Sequence, residues 1–163
     1  MEGNQLISLL TQNQITSNSF LGCFLNKNFN PDILINCRNG YCVLNTVSDV
    51  RKMGHWVLFY VRDNELFFID SFALHPDYYG GKISLFYKCF PPRKHLFFKK
   101  AVQNSISLVC GGYVLVISYL LCKNLRLTCI KSHFSRNTKS NDKFIVRNVT
   151  RYFNYNINDL LSK

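Results

Sequence analysis

His55-Trp56-Val57-Leu58-Phe59-Tyr60-Val61-Arg62-Asp63-Asn64-Glu65-Leu66-Phe67-Phe68-Ile69-Asp70 is the stretch from which the fold is read. Residues 55–61 are rich in aromatic and β-branched side chains and read as a strand, 62–64 as a turn, and 65–70 as a second strand. Both strands are apolar on both faces, the pattern of a sheet centre covered on each side. The hairpin also decides which side chains meet. A two-residue loop at Arg62-Asp63 pairs Val61 with Asn64 and sets His55 directly opposite Asp70, with Cβ atoms about 5 Å apart. Moving the loop to Asp63-Asn64 sets Asp70 opposite Val57, still on the His55 face. An odd-length loop sends it to the other face unless a bulge intervenes. The hairpin thus permits a His–carboxylate pair at the sheet end. The same two residues also read as a strand-terminal histidine and a turn-starting aspartate.

Outward from the hairpin, 5–12 has the apolar spacing of a short amphipathic helix. Residues 16–30 read as loop and short turns before Pro31, and 41–47 as a strand. Downstream, 71–81 reads as a loop, 83–90 as a helix stopped by Pro91-Pro92, and 96–103 as a strand. Residues 111–122 are long and apolar enough for a central buried helix, and 125–133 fit a strand or a helix. The polar segment 135–143 reads as a loop and 158–162 as a frayed terminal helix. The expected class is α+β: a central mixed or antiparallel sheet flanked by helices, in one domain over 1–163.

Composition supports a packed chain. With 163 residues, 47% hydrophobic, 15% aromatic and 18% charged, it is no disordered tail, collagenous repeat or coiled coil. The net charge of +11 is unevenly placed. Residues 1–81 hold 5 Lys+Arg against 7 Asp+Glu, a balance of −2; residues 82–163 hold 15 against 2, a balance of +13. A basic face on the second half predicts a polyanionic partner, most simply nucleic acid or a phospholipid surface. The longest apolar stretch, 108–122, is broken by Gly111, Gly112 and Ser118 and falls short of the roughly 20 residues of a membrane span, so no membrane segment is expected. Met1-Glu2-Gly3-Asn4-Gln5 lacks the features of a secretory signal, which predicts an intracellular chain with reduced thiols. Its 7 cysteines include no C-x-x-C pair, so no zinc or other metal site is expected.

Four residues have the types that cysteine catalysis needs: a thiol, a base, a group to orient the base, and donors for an oxyanion. Cys110 immediately precedes the apolar helix, where free N–H groups and the helix dipole lower a thiol pKa. Gly111 and Gly112 after it leave room for a substrate backbone. The other six cysteines read as small buried apolar residues. His55 and Asp70 are the candidate base and orienting acid. Asp63 and Glu65 lie at the far end of the hairpin, Asp77 in a Pro-containing loop, and His75, His95 and His133 have no carboxylate at comparable spacing. Gln103, seven residues before Cys110, can supply a side-chain amide beside the Cys110 N–H, or is simply solvated.

The four residues, in their local contexts, resemble the adenovirus endopeptidase (adenain) family. Phe20-Leu21-Gly22 followed by Asn30-Pro31 is similar to its N-terminal segment. Val43-Leu44-Asn45-Thr46 with Gly54-His55-Trp56 is similar to the element carrying its histidine, 66–72 to the strand ending in its carboxylate, and Val102-Gln103…Cys110-Gly111 to its oxyanion glutamine and nucleophile. The resemblance covers about 17–122. SUMO-type (ubiquitin-like-protein) proteases share this order and also use Asp-Ser, as in Asp70-Ser71, where adenain usually has Glu. They usually place Gln six residues before Cys with Asp before the Cys; here the interval is seven, with Val109.

The resemblance implies a viral cysteine endopeptidase with a Cys110–His55–Asp70 triad and Gln103 as oxyanion donor. Its substrates would be viral structural precursor polypeptides cut near glycine during virion maturation, and its place the virion and host nucleus, as a monomer. It further implies stimulation by DNA and by a viral peptide held through a disulfide, for which Cys89 is the only upstream cysteine in the region. The alternatives are a SUMO-type deconjugating or processing protease and a non-catalytic basic nucleic-acid-binding module.

Overall fold

The structure, a computed structural model, describes residues 1–47, 54–63, 65–90 and 94–161. The expected hairpin forms its centre, β3 (Trp56–Arg62) and β4 (Glu65–Ile69), paired antiparallel from Leu58↔Ile69 to Arg62↔Glu65. The loop is therefore Asp63-Asn64, the second of the two registers, with Asp63 in the left-handed conformation (φ 51°) that such loops require. Asn64 lies outside the described residues. On one side β2 (Asn39–Asn45) pairs antiparallel with β3, and β1 (Phe20–Leu25) pairs parallel with β2. On the other side β5 (Lys94–Phe97) pairs parallel with β4. The result is a mixed five-stranded sheet in the order β1-β2-β3-β4-β5.

Period-two alternation sends the strands' side chains to two cores. Tyr41, Val43, Leu58, Tyr60, Phe67 and Ile69 pack under α1 (Gly3–Gln12), α5 (Cys110–Cys122) and α7 (Thr138–Phe153). Cys42, Leu44, Val57, Phe59, Leu66 and Phe68 pack with Phe29, Leu34 and α4 (Gly81–Cys89). Apolar residues on both strand faces thus mean a sheet between two helical layers. Short helices α2 (Asp32–Ile35), α3 (Pro76–Tyr79) and α6 (Leu127–Ser132) and 3₁₀ turns at Ser17–Ser19, Asn26–Asn28 and Asn158–Leu160 complete the chain. No helix is long and apolar enough to cross a membrane, among the described residues.

The structure corrects four expectations. Within 16–30, Phe20–Leu25 is a strand; its six residues are all half-buried at the sheet edge and pair with a strand distant in sequence, so local pattern hides it. The strand expected at 96–103 spans Lys94–Phe97, and 98–103 is irregular. The loop 71–81 contains the single turn α3, with Pro76 at its first position and the His75 ring accepting from the Asp77 N–H at 3.3 Å. The polar segment 135–143 runs into α7, which starts at Thr138 behind an Asn137 cap accepting the Ser140 N–H at 3.1 Å. The segment 125–133 resolves to the helix α6. Pro91, Pro92 and Ser162 lie outside the described residues.

The buried α5 is the axis of the fold. A Cβ on Gly112 would sit 2.7 Å from Ile157 Cδ1 and 2.9 Å from Ile145 Cγ2, so this glycine serves the packing of α5 on α7 rather than room for a substrate. Gly111 faces Met1 and Trp56.

Candidate active site

His55 and Asp70 sit just beyond the paired ends of β3 and β4, on the same face by register. His55 Nε2 and Asp70 Oδ1 are 2.6 Å apart. Asp70 is 2% exposed and fully engaged. Oδ1 also accepts the Phe72 N–H at 2.9 Å, and Oδ2 accepts the Leu74 N–H at 3.0 Å and the Tyr79 hydroxyl at 2.6 Å. Burial alone would raise its pKa, but the hydrogen bond and charge of His55 and the Tyr79 and Phe72 donors win, and the carboxyl is held below its ordinary range. Burial likewise disfavours the His55 cation, yet hydrogen bonds to Asp70 and Cys110 and the charge on both raise its pKa to about 9.

The imidazole is held in place from three sides. Its backbone N–H donates to Thr46 Oγ1 at 3.1 Å and its carbonyl accepts the Thr46 N–H at 2.9 Å. The Phe72 ring lies over it with centroids 4.6 Å apart. Gly54 before it is a close approach, since a Cβ there would run into the Asn45 side-chain amide.

Cys110 is the first residue of α5. The cap position is Val109, whose side chain offers no acceptor to the N–H groups of the first turn. With His55 Nε2 on Asp70, Nδ1 is the ring nitrogen left for the Cys110 thiol. Burial pushes that thiol up. The hydrogen bond and charge of His55 and the backbone N–H groups of Trp56 and Gly111 pull it down further, and its pKa is lowered. Elsewhere burial acts with less opposition. It pushes Cys23 and Cys42 up to about 12 and Cys122 up to about 11.

Gln103, His55 and Cys110 line one cleft of about 770 Å³, with Trp56, Phe72 and Leu108 among its walls. Gln103 is 2% exposed. Its Nε2 donates to the Ser107 carbonyl at 2.9 Å, with Ser107 Oγ at 3.3 Å, and its Oε1 accepts the Ser71 hydroxyl at 2.5 Å. The segment carrying it is clamped from α7 and α5. Asn141 Nδ2 donates to the Val102 carbonyl at 2.9 Å, and the Tyr113 hydroxyl, with one proton to share, lies 2.8 Å from that carbonyl and 2.9 Å from Asp142 Oδ1.

Three of the four residues singled out in sequence, His55, Gln103 and Cys110, therefore line one cleft, and the fourth, Asp70, is bonded to His55 behind it. Cys89 is exposed at the last residue of α4, outside that cleft. Tyr79, Ser71, Asn141 and Asp142 were not foreseen; each reaches the site across a loop or from α7, and neither periodicity nor spacing signals such a contact. Among the described residues no group of three or more His, Cys, Asp or Glu side chains is placed to hold a metal ion.

Among solved structures, this geometry has a counterpart in overall fold: the crystal structure of the ASFV pS273R protease, at a TM-score of 0.55 and 16% identity. The two chains share a fold. The likeness covers 84% of this chain and 64% of that one, so the chain spans less than two thirds of the protease's length. At that identity the likeness is one of fold alone, and it does not single out the adenovirus endopeptidases. No protein-family model matches the sequence, and no curated protein matches it.

Proposed function

We propose that the chain is a cysteine endopeptidase. The observation that carries this is the single His55 ring bonded to Asp70 at 2.6 Å and to the lowered Cys110 thiol at an uncapped helix start. His55 takes the Cys110 proton, giving a thiolate–imidazolium pair, and Asp70 orients the ring and stabilises its cation. The thiolate attacks a peptide carbonyl, and the Cys110 N–H with the Gln103 amide holds the oxyanion. His55 then protonates the leaving amine, and water attacks the acyl-enzyme, regenerating the thiol and releasing the acid. The protease fold supports the same reading.

The finer assignment is a viral protease cutting structural precursor polypeptides near glycine during virion maturation. The test is cleavage of such precursors by the chain and by Cys110→Ala and His55→Ala. Both variants are expected to be inactive, and full activity in either contradicts the assignment. Cleavage of a SUMO-type precursor, with indifference to short peptides, would favour a deconjugating protease instead.

A nucleic-acid partner is part of the proposal. Lys139, Lys143, Arg147 and Arg151 are exposed at four-residue spacing along α7, and Lys99, Lys100, Lys131 and Arg136 rim a groove of about 780 Å³. Rows of cations at this spacing suit a phosphate backbone.

A further inference from the structure

The Gln103 amide is held at both ends by groups of different character. The Ser107 carbonyl can only accept, so the amide nitrogen must face it. Oε1 then faces Ser71, and their 2.5 Å contact is donation by the Ser71 hydroxyl. Ser71 is 2% exposed, which screens that bond from solvent. Its backbone makes a second link, because the Ser71 carbonyl accepts the N–H groups of Val102 at 2.8 Å and Gln103 at 3.1 Å. Ser71 also follows Asp70 directly, so one residue ties the acid's end of the hairpin to the candidate oxyanion donor.

We propose that Ser71 is a positioning residue for the reaction, whose hydroxyl locks the Gln103 amide with its nitrogen toward the cleft before substrate arrives. This rests on the proteolytic reading above. Without the hydroxyl, Oε1 is buried with no donor, and only the Ser107 contacts then oppose a turn of the amide that would bring an acceptor toward the developing negative charge. The Ser107 hydroxyl donates to the Asn104 carbonyl at 3.1 Å, so its longer contact with Nε2, 3.3 Å, uses its acceptor side and is the one an oxyanion replaces.

The test is steady-state hydrolysis of fluorogenic peptides carrying glycine before the scissile bond. It uses the full chain, Ser71→Ala, Gln103→Ala and the double variant, with the rate of Cys110 alkylation by iodoacetamide measured on each. Alkylation displaces iodide from carbon and forms no oxyanion, so it reports the thiolate alone. Ser71→Ala is expected to lower kcat about tenfold to a hundredfold, with KM and alkylation each within about twofold of wild type. The double variant is expected to be no slower than Gln103→Ala. An unimpaired Ser71→Ala, losses that multiply in the double variant, or alkylation falling in step with kcat overturns the assignment. A wild-type chain that cleaves none of the peptides overturns the proteolytic reading and this assignment with it.

Discussion

Burial pushes the thiols of Cys23, Cys42 and Cys122 up, while the thiol of Cys110 is pulled down. The difference is the partners: the other three have no imidazole, whereas Cys110 has His55 and two backbone N–H groups. The sign of the pH dependence follows. The proposed mechanism needs Cys110 deprotonated and His55 protonated. Activity should rise as pH passes the lowered thiol pKa and fall as pH rises through about 9, where His55 loses the proton it must give to the leaving amine. A kcat/KM profile measures both limbs; a profile still climbing above pH 9 contradicts the pair. Tyr79→Phe removes one of two donors to Asp70 Oδ2 and should cost about 1–2 kcal/mol of stability, read by denaturant unfolding. The His55–Asp70 pair was legible in sequence because both even loop registers kept Asp70 on the His55 face. Tyr79 was not, because it reaches the carboxylate from the end of the single turn α3, in a segment that reads as loop.

At the scale of elements, α5 and α7 decide where Cys110 sits. The start of α5 was readable from a long apolar stretch with Cys110 just ahead of it. α7 was hidden because its inward face mixes Ile145, Val146 and Val149 with buried Asn141, Asp142 and Asn148, which reads as polar loop. Asn137 as cap and Asn154 in the left-handed conformation (φ 50°) were its punctuation. β1 was hidden for a different reason, since a half-buried parallel edge strand owes its existence to β2. The α5–α7 contact has no room for a side chain at Gly112. Gly112→Leu should destabilise by about 1–3 kcal/mol, a melting temperature lower by about 2–12 °C. An unchanged melting curve would show that the helices do not meet there.

For the whole molecule, the proposed function would have the charge split separate chemistry from attachment. His55 and Asp70 come from the nearly neutral half; Cys110 and Gln103 come from the basic half, which also presents the cationic row of α7. If that row follows phosphates, replacing Lys143 and Arg147 by Gln should weaken binding to any DNA sequence alike. It should also reduce the slope of log K against log salt by about 2, measured by anisotropy titration, while leaving peptide hydrolysis without DNA unchanged. The central claim concerns one covalent bond. Acid-quenched mass spectrometry of the chain turning over a glycine-containing peptide tests it most directly. The predicted result is an acyl adduct on the peptide containing Cys110, absent from Cys110→Ala and His55→Ala. Turnover with no adduct on Cys110, or cleavage that persists in Cys110→Ala, would contradict it.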